Sequence, residues 1–339
     1  MQMKLAGLAL VTASLMAAAT ATPADPPTMK AVRMQAFGGP EVLKYEDVAR
    51  PVPAAGEVLV HVRAAGVNPV DWKLRESMGK GMITPPFILG FDVAGTVESL
   101  GAGVQDFKAG DAVFAYLPLA TGGGYAEYAV VPAAALAKKP AKADFKESAA
   151  TPLAALTAWQ ALFDKAKLQP GQTVLIHGAA GGVGHFAVQF AAAKGAKVIA
   201  TASAQNAEFV RGLGAATVID YQKQQFEEVA GQVDVVFDMI GGETLARSYG
   251  CLKEGGYLVS IVAPPDKAKL AERKAGGSVF LVQPDGRQLA EIAAMIDAGK
   301  VKPTVQASFP LAEAAKAQEL VKQGGTGRGK VVLEMPAAK

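Results

Sequence analysis

Cysteine and histidine are scarce in this sequence. Cys251 is the single cysteine among 339 residues, so neither an internal disulfide nor a zinc site of several thiolates can form. The three histidines, His61, His177 and His185, show no spacing typical of metal ligands. We therefore expect no bound metal, and we expect Cys251 to be a small buried hydrophobic residue.

An excess of charge of either sign is also absent. The chain has 34 basic and 31 acidic residues, a formal net charge of +3, and no block of lysines or arginines. Nucleic-acid binding is therefore not expected. Half of the residues are hydrophobic and 19% are charged, which is typical of a globular protein rather than a disordered one. A length of 339 residues predicts two domains.

Long apolar runs are confined to the N-terminus. Farther along, the apolar stretch Ala149–Ala158 is broken by Pro152 and two threonines, so we expect no membrane span.

The first 21 residues have the composition of a secretory leader. Lys4 precedes the apolar run Leu5–Ala19, and Ala19-Thr20-Ala21 matches an A-x-A cleavage site. We interpret residues 1–21 as a signal peptide, which predicts a periplasmic or secreted protein. The alternative is a cytoplasmic protein whose translation starts at Met29.

The rest of the chain changes its pattern near Ala149. Before it, short strand-like runs separated by Gly, Pro and Asn predict a small antiparallel, barrel-like β domain. These runs are Met29–Met34, Val58–Val62, Val93–Val97 and Ala112–Tyr116. After it, continuous apolar strands alternate with helices, which predicts a parallel sheet covered on both faces. Predicted strands of this sheet are Thr173–His177, Lys197–Thr201, Val233–Phe237, Tyr257–Ile261 and Val279–Val282. A last strand, Lys330–Leu333, could pair with the first domain.

The strongest local motif is His177–Gly184, with the sequence HGAAGGVG. It follows a predicted strand and opens a predicted helix, Val183–Lys194, which is the context that a G-x-G-x-x-G phosphate-binding loop requires. Ala179 replaces the first glycine, whereas Gly181 and Gly184 keep the spacing. Because a helix N-terminus offers free N–H groups and a positive dipole end, the motif predicts a binding site for a dinucleotide pyrophosphate. The alternative is a tight strand-to-helix turn without a ligand.

The end of the second strand favours NADPH as the nucleotide. NAD-specific folds place Asp or Glu about 20 residues past the loop, where the carboxylate accepts from the ribose 2′-OH. Here that position falls in Thr201–Asn206 (TASAQN), which has no acid. A carboxylate would repel a 2′-phosphate, whereas the hydroxyl of Ser203, together with Asn206, can donate to it. Lys194 and Arg211 are the nearest basic residues, and both are more simply solvated helix charges.

Further short motifs are spread along the chain. They are Gly66–Asp71 (GVNPVD), Gly90–Asp92 (GFD), Gly122–Tyr125 (GGGY), Ala155–Leu162 (ALTAWQAL), Asp238–Gly242 (DMIGG) and Gly329–Val332 (GKVV). With the glycine loop, this set resembles the zinc-independent, zeta-crystallin-like quinone oxidoreductases of the medium-chain dehydrogenase/reductase superfamily. The resemblance implies an α/β fold with two domains around an active-site cleft, and it implies a homodimer. A GroES-like antiparallel β-barrel catalytic domain would cover residues 29–152, completed by residues 300–339. A Rossmann NADP-binding domain with a doubly wound parallel sheet would cover residues 153–299.

The same resemblance implies a set of cofactor contacts. Thr157 would lie near the nicotinamide, and Lys330 would reach the cofactor from the tail. The residues implied at the phosphates are Gly181, Gly182 and Val183 for the pyrophosphate, and Ser203 and Tyr221 for the adenosine 2′-phosphate. The apolar residues implied along the cofactor are Ile240, Val262, Phe280 and Val282. For these four, ordinary core packing is an equally good interpretation.

The predicted chemistry follows from the residues at the positions of the zinc ligands. Zinc-dependent relatives carry Cys where this chain has Asn68 and His where it has Phe91; asparagine is a poor zinc ligand and phenylalanine is none. Without a Lewis acid, alcohol oxidation is disfavoured, whereas a quinone or an α,β-unsaturated carbonyl can accept hydride from NADPH. The developing oxyanion needs hydrogen-bond donors. Asn68 is our first candidate. Tyr125 and Tyr116 are weaker candidates, either for a donor or for part of the substrate wall, and Asp71 is more simply a brace for the helix that follows.

The residues therefore favour an NADPH-dependent reductase of quinones or α,β-unsaturated carbonyls. Two other functions stay open. A non-catalytic NADPH-binding redox sensor would use the same nucleotide site. A zinc-type alcohol dehydrogenase would share the fold but would need ligands that Asn68 and Phe91 do not supply.

Overall fold

The computed structural model describes residues 27–324 and 327–336. The predicted signal peptide, residues 1–21, lies outside the described residues. Within the described ranges no helix is both long enough and apolar enough to cross a membrane.

The first part of the chain forms short strands between frequent turns, as the sequence predicts. Its strands are β1 (Thr28–Met34), β2 (Leu43–Ala49), β3 (Glu57–Val67), β4 (Phe87–Ile88), β5 (Asp92–Leu100), β6 (Ala112–Tyr116), β7 (Tyr128–Pro132) and β8 (Leu136–Lys138). Its helices are α1 (Pro69–Lys73), α2 (Phe145–Ala149) and α3 (Pro152–Trp159). Helices α1 and α3 each continue into a π-helical turn, at Leu74–Met78 and Gln160–Lys165.

The second part alternates strands and helices and ends in a tail of mixed elements. Its strands are β9 (Thr173–Ile176), β10 (Lys197–Ala202), β11 (Thr217–Asp220), β12 (Val233–Asp238), β13 (Leu252–Ser260), β14 (Gly276–Val279), β15 (Val305–Pro310) and β16 (Lys330–Glu334). Its helices are α4 (Gly184–Ala193), α5 (Ala207–Gly212), α6 (Phe226–Ala230), α7 (Gly242–Ser248), α8 (Lys267–Glu272), α9 (Gly286–Asp297) and α10 (Ala314–Lys322).

The second part is built on a parallel sheet with the strand order β11-β10-β9-β12-β13-β14. Both of its faces are covered, because Val174 and Ile176 of β9 belong to one hydrophobic cluster and Leu175 belongs to another. Successive side chains of a strand point to opposite faces, so a strand buried on both sides must be apolar throughout. This explains the continuous apolar runs, and it confirms the predicted doubly wound fold.

The first part curls into an antiparallel barrel around β3. One end of β3 pairs with β7 and the other end pairs with β16, the last strand of the tail. Valines 58, 60 and 62 of β3 point into one hydrophobic cluster with residues of β5, β6 and β7. In the sheet that contains them, β15 and β16 are the parallel pair and the other pairings are antiparallel. The predicted β-barrel domain is therefore confirmed.

The predicted strand Val279–Val282 is wrong in its position. The observed strand β14 covers Gly276–Val279, so Phe280 and Val282 follow the strand rather than form it. The glycines at its start permit close packing on β13, since a Cβ built at Gly276 would lie 2.7 Å from the Tyr257 ring. Glycine is a poor strand former and so gave no signal in the sequence pattern.

Candidate active site

The glycine loop lies between β9 and α4, at the point where the order of the parallel strands reverses. Gly178 has φ of +72°, a conformation that favours glycine. The helix packs tightly on the loop, because a Cβ built at Gly184 would lie 2.2 Å from the Gly178 carbonyl oxygen. Gly181, Gly182 and Val183 line a cavity at this helix N-terminus, where unpaired N–H groups and the positive dipole end favour an anion.

The cavity has a volume of about 1110 Å³ and is lined by both parts of the chain and by the tail. Its described wall contains no Asp or Glu, but it contains the cationic side chains Arg247, Arg328 and Lys330. Apolar residues such as Leu153 and Ile261 supply much of the remaining wall. Arg247 donates to Glu227 and Lys330 lies beside Asp92, so the helix N-terminus is the feature of this wall that most favours the phosphates of a dinucleotide.

A buried histidine fixes the start of the glycine loop. His177 Nδ1 lies 3.2 Å from Thr201 Oγ1 and its Nε2 lies 3.0 Å from Ser248 Oγ. The Ser248 hydroxyl donates to the Thr244 carbonyl, so it accepts from His177, and the proton is assigned to Nε2. Thr201 Oγ1 also accepts from the Gly178 N–H at 3.3 Å. Burial lowers the pKa of His177 to about 4, so this network is uncharged at neutral pH and serves to hold the loop.

Ser203, Tyr221 and Arg328 line the same cavity beyond the end of β10. Asn206 Nδ2 donates to Ser203 Oγ at 3.3 Å and to the Gly327 carbonyl at 2.9 Å, which ties the tail to this end of the sheet. Accepting a hydrogen bond does not use the serine hydroxyl hydrogen, so Ser203 can still donate. The structure therefore brings the predicted Ser203 and Tyr221 together with an arginine from a distant part of the chain.

Asn68 lies in the cavity wall and is held by two charged side chains. Its Nδ2 donates to Asp92 Oδ2 at 2.8 Å, and its Oδ1 accepts from the Lys330 ammonium. Lys330 also donates to the Val67 carbonyl at 2.9 Å. The other oxygen of Asp92 accepts from the Leu153 N–H at 2.7 Å. Asn68 and Lys330, both predicted site residues, are thus in direct contact.

Tyr125 does not reach this cavity. It is fully buried, and its hydroxyl donates to Asp71 Oδ2 at 2.7 Å. The same carboxylate oxygen accepts from the Asn68 backbone N–H at 2.6 Å, so Asp71 braces the start of α1. Burial raises the pKa of Asp71 to about 7 and that of Tyr125 well above its usual value. Tyr116 is buried as well. Tyr125 therefore supports the Asn68 turn through Asp71.

The structure places only some of the predicted apolar contacts at the cavity, and it places Thr157 away from the cavity wall. Ile240 lines the cavity and is 54% exposed. Val262 is 50% exposed on the neighbouring loop, next to the cavity rather than in its wall. Thr157 and Val282 are buried, and Thr157 Oγ1 donates to the Leu153 carbonyl at 2.7 Å. Phe280, like these two, lies outside the cavity wall.

Arg328 is a functional candidate that sequence reasoning did not single out. Its guanidinium lies 5.4 Å from the ring centre of Phe209, and the residue lines the cavity beside Ser203. Of the two basic residues considered from the sequence, Lys194 lies over the Trp159 ring and Arg211 is exposed outside the wall. The only signal for Arg328 in the sequence was its place in the glycine-rich run before Lys330. It lies near the end of β10 in the structure but more than 120 residues from that strand in the sequence.

No metal site emerges from the acidic, histidine and cysteine side chains. Within residues 27–324 and 327–336, no three of them come together as a bound metal ion would require. Cys251 is buried, as expected, and burial raises the pKa of its thiol to about 11. His61 stacks on Tyr128, and His185 Nδ1 lies 3.0 Å from the Gly181 carbonyl.

Known proteins resemble this chain over about nine-tenths of its length. Family models match residues 54–141, as an alcohol dehydrogenase GroES-like domain, and residues 213–333, as a zinc-binding dehydrogenase. The human quinone oxidoreductase is 34% identical over 324 residues, which cover 90% of this chain and 97% of the human one. The chloroplastic NADPH-dependent alkenal/one oxidoreductase of Arabidopsis thaliana is 36% identical over 329 residues, which cover 93% of this chain and 81% of the plant protein. The structure of the quinone oxidoreductase from Coxiella burnetii superposes with a TM-score of 0.84 at 34% identity, covering 91% of this chain and 100% of that one.

Proposed function

The chain belongs to the zeta-crystallin-like quinone oxidoreductase branch of the medium-chain dehydrogenase/reductase superfamily, and from that premise we propose that it reduces a quinone or an α,β-unsaturated carbonyl with NADPH, without zinc. The observation that carries this proposal is one cavity lined by the glycine loop, by Ser203 and Arg328, and by Asn68. Such a cavity offers contacts for the pyrophosphate, polar side chains for the adenosine end of the nucleotide, and a hydrogen-bond donor for the substrate among apolar walls.

The proposed roles follow from this arrangement. Gly181, Gly182 and Val183 would bind the pyrophosphate, and a bound nicotinamide would supply the hydride. Asn68 is the proposed catalytic residue, because its amide can donate to the substrate oxygen as negative charge develops there. Hydride transfer leaves a negative charge on the substrate oxygen, and the proton that completes the reduction would come from solvent. Tyr221, Ile240 and Lys330, which line the cavity, remain proposed cofactor contacts, and so does Val262 beside it. Thr157, Phe280 and Val282 lie outside the cavity wall and are proposed on the resemblance alone. Tyr125 is also proposed, as the weaker candidate for a donor, although its hydroxyl donates to Asp71.

A turnover assay tests the proposal directly. Purified protein is mixed with NADPH and a panel of quinones and enones, and loss of NADPH absorbance is followed after treatment with a chelator. We expect turnover with at least one acceptor and none without acceptor. NADPH binding without turnover on any acceptor would instead favour the non-catalytic redox sensor.

We predict that the protein prefers NADPH to NADH and that Ser203→Asp shifts this preference towards NADH. A carboxylate at residue 203 would repel the 2′-phosphate and could accept from a ribose hydroxyl, so a change of about tenfold or more in the affinity ratio is expected. Fluorescence titration with both nucleotides measures the ratio. Ser203→Asn, which adds no charge, serves as the matched control. Wild-type protein that binds NADH as tightly as NADPH would contradict the cofactor proposal.

We also predict that the purified protein contains no stoichiometric zinc and that chelators leave its rate unchanged. Phe91 is buried and has no ligand atom, and the Asn68 amide is a poor zinc ligand whose oxygen and nitrogen are already bonded to Lys330 and Asp92. Elemental analysis of the protein used for kinetics checks this. A zinc content near one per chain would reopen the alcohol dehydrogenase interpretation.

Three broader proposals complete this picture. The domain boundaries remain at residues 152/153 and 299/300. For a homodimer, β14 offers a surface, because it is the last strand in the order of the parallel sheet, ends at the exposed Val279 and is followed by the exposed Leu281. Light scattering would detect the dimer. For export, N-terminal sequencing of protein from its native cells should begin at Thr22, and a start at Met29 would favour the cytoplasmic alternative.

A further inference from the structure

Lys330 connects the nucleotide loop with the substrate end of the cavity. It is the first residue of β16 and is 5% exposed. Its aliphatic stem passes the glycine loop, because a Cβ built at Gly182 would lie 3.0 Å from Lys330 Cδ. Its ammonium lies 3.7 Å from Asp92 Oδ2, in addition to its bonds to Asn68 and the Val67 carbonyl.

The charges of Lys330 and Asp92 select one orientation of the Asn68 amide. The ammonium can only donate and the carboxylate can only accept, so Oδ1 faces Lys330 and Nδ2 faces Asp92. The flipped amide would place its N–H groups against the ammonium and its oxygen against the carboxylate. With one N–H of Nδ2 bound to Asp92, the same amide has a second N–H with a fixed direction.

Lys330 also maintains the charge that Asp92 needs for this role. Burial raises the pKa of Asp92 and lowers that of Lys330, and each charge opposes the change in the other. Without Lys330, Asp92 would take up a proton more readily. A protonated carboxyl can donate to Asn68 Oδ1, so both orientations of the amide would then be allowed.

We infer that Lys330 is a positioning residue, whose ammonium fixes the Asn68 amide so that its second N–H is held ready for the oxygen of the substrate. The consequence for turnover rests on the proposed reduction of quinones or enones. The orientation of the Asn68 amide does not depend on that proposed reaction, so the orientation and the turnover can be tested separately.

The composition of the chain allows a spectroscopic test of the orientation. Asn68 and Asn206 are its two asparagines, so protein labelled with ¹⁵N-asparagine gives two side-chain amide pairs, assigned by their loss in Asn68→Ala. Lys330→Met keeps the stem and removes the charge; it should shift the Asn68 pair, or double it into two flipped forms, and leave the Asn206 pair in place. Lys316→Met, at an exposed lysine of α10, should move neither pair.

A kinetic cycle tests the consequence with NADPH and whichever quinone or enone is turned over. Lys330→Met should lower kcat about tenfold or more, because loss of an oxyanion donor outright costs about a hundredfold or more. In the Asn68→Ala background the same change should lower kcat by less than about twofold, because its effect acts through Asn68. Because Lys330 is also a proposed cofactor contact, kcat is measured at saturating NADPH, so that any loss of NADPH affinity, measured by fluorescence titration, is kept apart from the loss of turnover.

The outcomes separate the possible failures. An Asn68 pair unchanged in a folded Lys330→Met variant overturns the inference, and so does an equal loss of kcat in both backgrounds. If no acceptor is reduced, the proposed function fails, while the amide spectrum still decides the role of Lys330. If Lys330→Met does not fold, Lys330→Arg keeps the charge and should leave the Asn68 pair single; two flipped forms in that variant would overturn the inference.

Discussion

Gly182→Val is expected to lower the affinity for NADPH about a hundredfold, or roughly 3 kcal/mol, and to change the free energy of unfolding far less. Gly182 lines the cavity at the start of α4, where the pyrophosphate is proposed to bind. Its backbone is not in the left-handed region, so a β-carbon is not strained there. The nearest atom to that carbon would be Lys330 Cδ at 3.0 Å, in a flexible side chain that can move. The valine methyls would take up space in the cavity and displace the Lys330 stem.

The measurement pairs an NADPH fluorescence titration with thermal melting in the absence of nucleotide. Gly212→Val is the matched control, because Gly212 lies in α5 with open space around it and outside the cavity wall. A folded Gly182→Val variant that binds NADPH like the wild type would mean that the loop is only a turn. The proposed nucleotide site, and with it the proposed reductase activity, would then lose its main support.

The features that the sequence predicted well are those encoded by neighbouring residues. The run Thr173–Ile176, the glycines that follow it and helix α4 are one continuous segment, so periodicity and composition were enough to place the nucleotide loop. Strand β16 was predicted in the same way, from four consecutive residues.

Features built from distant residues were out of reach of such reasoning. The Lys330 ammonium and the Asn68 amide are 262 residues apart in sequence, and their contact depends on how the tail returns to β3. Arg328 reaches the end of β10 by the same return of the tail. A basic residue was sought near Thr201–Asn206, where none lines the cavity, because sequence proximity was the only guide available.

The direction of a side chain is a second property that residue type does not supply. Tyr125 was predicted as a donor because a phenol can donate, but its hydroxyl points to the buried Asp71. Thr157 and Val282 are buried, whereas Ile240 and Val262 are half exposed near the cavity. All four carry side chains that would suit either a core or a cofactor wall, so only their places in the fold distinguish them.

Gly184, the last glycine of the loop, should give the opposite result from Gly182. Gly184 is the first residue of α4, and a glycine-to-alanine change in a helix usually stabilises a protein by about 0.5–1 kcal/mol. At Gly184 the same change should destabilise the protein, because the added Cβ would lie 2.2 Å from the Gly178 carbonyl oxygen and 2.7 Å from Ala179 Cα. Both are backbone atoms, so the clash is relieved only if α4 moves away from the start of the glycine loop.

Gly184→Ala is therefore expected to lower the free energy of unfolding by about 3 kcal/mol, at the upper end of the usual cost of overpacking. Denaturant unfolding without nucleotide measures this, so a weakened cofactor cannot be mistaken for a weakened fold. Gly212→Ala is the matched control: it adds the same methyl group to a helix with open space around it and should leave the stability unchanged or slightly raised. A Gly184→Ala variant as stable as the wild type would show that α4 does not press on the Gly178 carbonyl. The close contact between Gly184 and Gly178 would then not be what holds the N-terminus of α4 at the cavity.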